Sequence, residues 1–409
     1  MSLLTLTDLE AQYGDADNEQ YLSGQTVLLR VDFNVPLTSE GFVSDDTRIR
    51  AALPTLNWLQ ERGAIVVLLS HLGRPKGTKN PKLSLLPVAE HLQELLDQTI
   101  YFCDVVDEPR ILTRDLRPGS VVLLENLRFH AEETSNDSNF AAKLELIGDF
   151  YVNDAFGLVH REHASVHALA EIFTHKNKAF AGLLIEKEVE ALTKILMSSR
   201  RSNTVAVLGG AKVKDKIVLI ENIARRCKDI LIGGAMSYTF LAAKGIEVGS
   251  SRVEHDKIKV AKELLELCAE NNVDVHLPLD HVTASEFSQE AEAVVTEGAT
   301  IPEGFMGLDI GPKTQELYAS IIKQASRVFW NGPMGVFEWE AFASGTRTVG
   351  ESLKECDGYT LVGGGDSAAA THQLGFAEFI SHISTGGGAS LAFLEERTLP
   401  GLVFLSRYR

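Results

Sequence analysis

No run in this chain approaches the ~18 apolar residues of a membrane-spanning helix. The opening stretch, MSLLTLTDLEAQYGDADNEQ, lacks the basic segment and apolar core of a secretion signal. Neither membrane nor export is therefore expected, and a cytoplasmic location is. Cysteine is scarce: Cys103, Cys227, Cys268 and Cys356 stand far apart with no C-x-x-C spacing, which argues against a disulfide framework or a zinc site. Positive charge is short as well, with 39 Lys and Arg against 56 Asp and Glu and a formal net charge of −17. Such a surface repels nucleic acid and anionic lipid, so an anionic ligand must meet a local cluster of cations. Also missing are a G-x-x-x-x-G-K-[ST] phosphate loop and any convincing Ser-His-Asp or paired-carboxylate set.

What is present is a soluble, globular composition, 44% hydrophobic and 23% charged, over 409 residues. That length predicts two domains. A unit recurs along the chain: a short β-branched run, a polar or Gly-rich turn, then a helical pattern. This alternation predicts an α/β fold with parallel sheets flanked by helices. Strands are expected at 27–31, 65–69, 121–124 and 150–152 in one half, and at 205–208, 230–232, 328–330 and 360–362 in the other. Between them, LLIEKEVEALTKILMSSRRSN has helical spacing and reads as a joining helix.

Ligands of open parallel sheets bind beyond the carboxyl ends of the strands, so the turns there are informative. In the first half they are DFN, SHLGRP, ENLRF and NDAFGLVHR, and they place Arg74, Arg128 and Arg161 after three separate strands, with Arg48 in the loop after the first. Guanidinium forks match phosphate and carboxylate geometry. Any one of these arginines could instead pair with a nearby acid, but four in one half point to a small, multiply charged anion. His71 and His160 could donate to it, and Asp32 and Asn34 suit hydroxyl groups, although Asp32 and Asn34 equally suit a turn beside Pro36.

The second half offers glycine instead: GGAK, GGA, NGPMG, GGGDS and STGGGAS. Bare backbone at the start of a helix lets phosphate approach free amides. YTLVGGGDSAAAT also fits G-x-G-x-x-A, which raises an NAD-dependent dehydrogenase as an alternative. The acid expected about 20 residues on is absent there, where STGGGAS stands. Asp366 could meet Mg²⁺ carried by nucleotide phosphates, or with Ser367 simply cap a helix. In GGAKVKDKIVLIENIARRC, Val213, Ile217, Ile220, Ala224 and Cys227 are expected to form a buried helical stripe, with Lys212 and Lys216 sharing another face near the start. Cations there oppose the helix dipole and want an anionic partner. After FWNGPMGVFEWEAF begins, Asn331, Gly332, Gly335 and Glu338 suit a purine and its ribose, or merely a turn before a helix.

From LLRVDFNVPL to HISTGGGASLAFLE the chain resembles the phosphoglycerate kinase family. RVDFNVP, SHLGRP, LLENLRF, LGGAKVKDKI, FMGLDIGP, WNGPMGVFEWEAF, GGGDS and STGGGAS occur in the family's order. The resemblance implies two Rossmann-like domains: residues 1–184 for the acid substrate, a joining helix at 185–200, and 201–394 for the nucleotide, with a tail at 395–409 packing back on the first. It implies Mg²⁺-dependent exchange of phosphate between 1,3-bisphosphoglycerate and ADP; with the two sites on different domains, in-line transfer is expected after closure about a hinge near 181–200, and nothing in the sequence suggests more than a monomer. The acid site carries over to Asp32, Asn34, Arg48, His71, Arg74, Arg128 and Arg161, beside His160. The nucleotide site carries over to Gly210, Lys216, Gly234, Gly307, Asn331, Glu338 and Gly364, Gly365, Asp366 and Ser367, with Gly335 in the same loop. Arg48, Lys212, Lys216, Gly364, Gly387 and Gly388 match transition-state contacts. Ser367 replaces the usual Thr, Leu158 and Val159 are bulkier than usual, and Glu162 adds a negative charge beside Arg161. A non-catalytic sensor of phosphorylated ligands would keep the glycine turns without needing Arg48 or Lys216.

Overall fold

Apolar runs bounded by polar turns become parallel strands buried on both faces, as helix-covered sheets require. In the first half these are β1 (Thr26–Arg30), β2 (Ile65–Leu69), β3 (Ile100–Cys103), β4 (Val121–Leu124), β5 (Phe150–Asn153) and β6 (Ala179–Ala181), ordered β3-β4-β2-β1-β5-β6. In the second half β7 (Thr204–Leu208), β8 (Asp229–Ile232), β9 (Asp274–His276), β10 (His281–Ala284), β11 (Val294–Val295), β12 (Met306–Ile310), β13 (Arg327–Asn331), β14 (Tyr359–Val362) and β15 (His382–Ile383) form two sheets. One is parallel, β15-β14-β13-β7-β8-β9, and one is a small antiparallel sheet, β11-β10-β12. The computed structural model describes residues 2–15, 17–104, 115–197, 203–395 and 398–407. Among them no helix is long and apolar enough to cross a membrane.

The chain divides into two units, Met1–Glu190 with Thr398–Arg409, and Ala191–Arg397. The first is built around Leu29, Val31, Phe33, Val66 and Leu68, the second around Val205, Val207, Val328, Trp330 and Val362. The helix Leu183–Leu196 runs from one into the other. Its start is held by Asp154, whose Oδ1 accepts from the amides of Leu184 at 2.8 Å and Ile185 at 3.2 Å. Asp154 is fully buried, its Oδ2 has no partner, and burial pushes its carboxyl up to about 7. Residues 198–200 of the expected joining helix and hinge, 201 and 202 after it, and 396, 397, 408 and 409 of the expected tail lie outside the described residues.

Residues 398–407 close the first unit. Leu399, Leu402 and Leu405 are buried. The Leu4 amide donates to the Leu405 carbonyl at 2.7 Å, the Gly401 amide to the Val159 carbonyl at 2.8 Å, and Arg407 forks onto both oxygens of Asp8.

Candidate functional site

The first set of polar residues follows β4, β2, β1 and β5, four neighbours in one sheet, so their turns emerge side by side. Arg48, in the first turn of the helix Thr47–Glu61, donates through Nη1 to Asp32 Oδ2 at 3.0 Å and to the Asn34 carbonyl at 3.2 Å. Asn34 Oδ1 accepts the Gly73 amide at 2.9 Å, and Arg128 Nη1 donates to the Gly73 carbonyl at 2.8 Å. Asn126 holds the loops together by donating to the carbonyls of Leu72 and Leu83 while accepting the Arg128 amide. His71 is buried with Nδ1 3.8 Å from Asp32 Oδ1. Asp32, Asn34, Arg48 and Arg128 are thus linked by hydrogen bonds through the Gly73 backbone, with His71 packed beside Asp32. Arg74 and Arg161 stand exposed, and His160 is partly buried beside Arg161.

Beneath them lies a residue that the turn-by-turn reading passed over. Arg30, the last residue of β1, is fully buried. It donates through Nε to Ser165 Oγ at 2.7 Å, through Nη1 to the carbonyls of Val31 and Leu69, and lies 3.4 Å from His71 Nδ1. Glu133, also fully buried, stands 3.9 Å from Arg30 Nη2 and accepts from the Ser165 amide and hydroxyl. The available signal was an arginine inside an apolar run, TVLLR.

Arg30, Arg48, Arg74 and Arg128 crowd this end of the sheet, with Asp32 and Glu133 among them. Burial, reinforced by Arg30, holds Arg128 down at about 10. Burial, with Arg128 and Arg30 close by, holds His163 at about 4. Burial, with Arg30 and Arg128 close by, holds His71 well below the usual histidine value, and burial with Arg161 lowers His160. Arg128 Nε, His160 Nδ1 and His163 Nδ1 are buried with no hydrogen-bond partner. Crowded guanidinium groups, with a buried Nε left unfilled, gain most from an entering anion, and a histidine held neutral by them gains a reason to take up a proton. Leu158 and Val159 are buried and turn inward, whereas Glu162 is exposed.

In the second unit the glycine turns follow β15, β14, β13, β7 and β8, again neighbours. They interlock through backbone: the Gly210 amide donates to the Pro333 carbonyl, the Gly234 amide to the Met334 carbonyl and the Met236 amide to the Gly210 carbonyl. Asn331, buried at the end of β13, accepts from Lys216 Nζ and donates to the Gly363 carbonyl. Ser367 Oγ accepts the Gly332 amide at 2.6 Å. Gly210, Lys216, Gly234, Asn331 and Ser367 therefore belong to one connected set, beside Gly364, which precedes the helix Gly365–Gln373.

The glycines divide by what surrounds them. A Cβ on Gly234 would meet the Gly210 amide nitrogen at 2.5 Å, one on Gly307 the Tyr238 hydroxyl at 2.1 Å, and one on Gly335 Asp309 Oδ1 at 2.4 Å. Those three are glycine because protein packs against them. A Cβ on Gly210, Gly365 or Gly387 would meet nothing within 4 Å, so on that side a ligand can approach the backbone. Gly388 opens the helix Gly388–Leu394, and the carbonyl of Glu395 just after it accepts from Asn222 on the helix Ile217–Ile223. Glu338 is exposed in the loop after Gly335. Among the described residues, Gly307, Gly335 and Glu338 stand outside the connected set.

One expectation is corrected. Lys212 and Lys216 do not share a helical face. Lys212 is extended, with φ −137° and ψ 127°, a 3₁₀ turn spans Val213–Asp215, and the α-helix starts only at Ile217. Its buried residues are Leu219, Ile220 and Ile223, with Ile217 only partly covered. Two glycines before the lysine leave no helix to continue, so the spacing rule applied a turn too early. Lys216 is partly buried, and burial lowers its pKa while Asp215, Glu395 and Asp366 oppose the shift.

Among the described residues no group of three or more His, Cys, Asp or Glu could cage a metal ion. Asp366 is a single exposed carboxylate in the first turn of its helix, close enough to act on Lys216. That donor set fits Mg²⁺ brought in on phosphate oxygens, because Mg²⁺ is commonly held by one or two carboxylates plus phosphate.

The model of the family described as phosphoglycerate kinase matches residues 17–397. A phosphoglycerate kinase of Moorella thermoacetica is 49% identical over 408 residues, covering 99% of this chain and 100% of that relative. One of Gloeobacter violaceus is 50% identical over 396 residues, covering 94% and 96%. The solved structure of phosphoglycerate kinase from Coxiella burnetii superposes with a TM-score of 0.86 at 37% identity, covering 94% of this chain and 97% of that one.

Proposed function

The chain belongs to the phosphoglycerate kinase family, and from that premise we propose how its residues divide the work. The enzyme reversibly transfers the acyl phosphate of 1,3-bisphosphoglycerate to ADP, giving 3-phosphoglycerate and ATP. The acceptor in the reverse direction is a carboxylate, ionised at neutral pH, so no general base is required. What the protein must supply is alignment and neutralisation of charge on the moving phosphoryl group.

Arg128, Arg161, Arg74 and the two histidines His71 and His160 bind the phosphate and carboxylate ends of the acid, while Asp32 and Asn34 orient its hydroxyl. Arg48, already tethered to Asp32, reaches toward the transferring phosphoryl group. In the second unit Gly210, Gly234, Gly307, Asn331, Gly335 and Glu338 receive the nucleotide. Lys216 and Lys212 neutralise its phosphates, helped by the amides of Gly364, Gly365 and Ser367 and by the Gly387–Gly388 turn. Mg²⁺, when bound, spreads phosphate charge, and Asp366 is the carboxylate that would hold it. Because acid and nucleotide residues lie on different units, direct in-line transfer requires the units to close, with a hinge in 181–200. We place the enzyme as a monomer, and in the cytoplasm, whose reducing conditions suit four unpaired cysteines.

The observation that supports this reading is the crowding of Arg30, Arg48 and Arg74 around Arg128, whose Nε is buried with no hydrogen-bond partner beside the equally unfilled Nδ1 atoms of His160 and His163. The test is an assay coupling ATP formation to 1,3-bisphosphoglycerate and ADP, with Lys216→Ala and Arg48→Ala alongside. Each variant is expected to lose roughly a hundredfold or more in kcat, the scale of a lost charge-stabilising group. An inactive wild type, or full activity in both variants, sinks the reading.

A further inference from the structure

Lys212 and Lys216 bracket the turn Val213–Asp215, which is too short to hold its own shape. Its end is closed by the Lys216 amide on the Val213 carbonyl at 2.8 Å. Its start is held from 41 residues away. Glu254 Oε2 accepts the Val213 amide at 2.5 Å and the Lys214 amide at 3.4 Å. Glu254 is itself anchored, its amide donating to the buried Thr239 Oγ1 at 3.1 Å and its carbonyl accepting the Lys257 amide at 2.8 Å. The first amides of a helical turn carry partial positive charge and have no partner within the turn, so a carboxylate suits them better than a neutral acceptor.

We propose that Glu254 is a positioning residue for phosphoryl transfer: its carboxylate clamps the 213–215 turn and so fixes the two lysines on either side of it. The inference rests on the reading of Lys212 and Lys216 as phosphate ligands. Glu254 touches no reacting atom. Without it the turn gains conformational freedom, and the lysines spend less time where charge develops.

The test compares Glu254→Ala, Glu254→Gln and Glu254→Asp with Lys216→Ala in the same coupled assay. Glu254→Ala is expected to lower kcat about tenfold to thirtyfold, the size of one or two lost charge-assisted hydrogen bonds, with the KM for ADP and for the acid moving less than about threefold. Glu254→Gln, which keeps an acceptor, recovers most of kcat, and Glu254→Asp, which retracts the carboxylate by one methylene, falls between. Hydrogen exchange speeds up in peptides covering 212–219 in Glu254→Ala while the central strands stay protected. Wild-type kcat in Glu254→Ala or Glu254→Asp beside an inactive Lys216→Ala overturns the inference, as does a Glu254→Gln variant as slow as Glu254→Ala. Full activity in Lys216→Ala strikes instead at the lysine reading beneath it. Should Glu254→Ala fail to fold, the Gln and Asp variants decide alone.

Discussion

Replacing Asp154 by Asn should make the protein more stable in alkali while leaving it little changed in acid. Asp154 caps the helix Leu183–Leu196 with one oxygen and leaves the other buried without a partner. Burial holds its carboxyl at about 7, against ~3.9 in an unfolded chain. Because the folded value is the higher one, the folded state binds the extra proton. Stability from this group is therefore fully present below about pH 4 and is lost as pH rises toward 7. Between pH 5 and pH 8 the window spans about two units, at ~1.4 kcal/mol each, so the wild type loses about 3 kcal/mol that the variant does not. For a unit of this size that is ~6–12 °C in midpoint. His163 and His281 are buried with values near 4, below the unfolded ~6.5. They lose stability as pH falls through the same range, the opposite slope, so only the difference between variant and wild type isolates Asp154. Calorimetric melting of both proteins at pH 5 and pH 8 gives that difference. If it is the same at the two pH values, or smaller at pH 8, the carboxylate is not paying the desolvation assigned to it.

Three further outcomes are expected. Gly364→Ala forces a side chain into φ 96° with its Cβ 2.6 Å from Asn331 Nδ2. Since Asn331 accepts from Lys216, steady-state kcat should fall by roughly a hundredfold, the effect of displacing a catalytic group by ~1 Å; unchanged kcat argues against that linkage. Asp366→Ala should raise the Mg²⁺ concentration for half-maximal rate and weaken ADP, leaving the KM of the acid substrate in place, whereas an unshifted Mg²⁺ titration removes Asp366 from the metal's neighbourhood. Small-angle scattering should show compaction only when both substrates are bound, and an unchanged radius of gyration speaks against closure.

The strands nearest the sheet centres were legible because they are buried on both faces and read as unbroken apolar runs. Strands β6, β9, β11 and β15 span two or three residues each, too few for a period to show. β3, at a sheet edge, is partly exposed, which breaks its apolar signature. The antiparallel sheet was missed because register between β10 and β12 depends on tertiary pairing with a shift at Val282. In the candidate site, residues that follow strands could be read from their turns. For Arg30 the only signal was its place at the end of an apolar run, because it belongs to β1 itself and its partners Ser165 and Glu133 come from segments 103 to 135 residues away. The placement of Lys212 and Lys216 failed for a related reason: i,i+4 spacing implies a shared face only where a helix has already begun.

The first unit is discontinuous in sequence, since residues 398–407 follow the whole of the second unit yet bury Leu399, Leu402 and Leu405 in the first. During synthesis the second unit is complete before the first has received those leucines, and the Val159 carbonyl beside His160 still waits for the Gly401 amide. A nascent chain can thus complete its second unit while the first remains open along one seam. Late intermediates should expose that seam to proteases and chaperones.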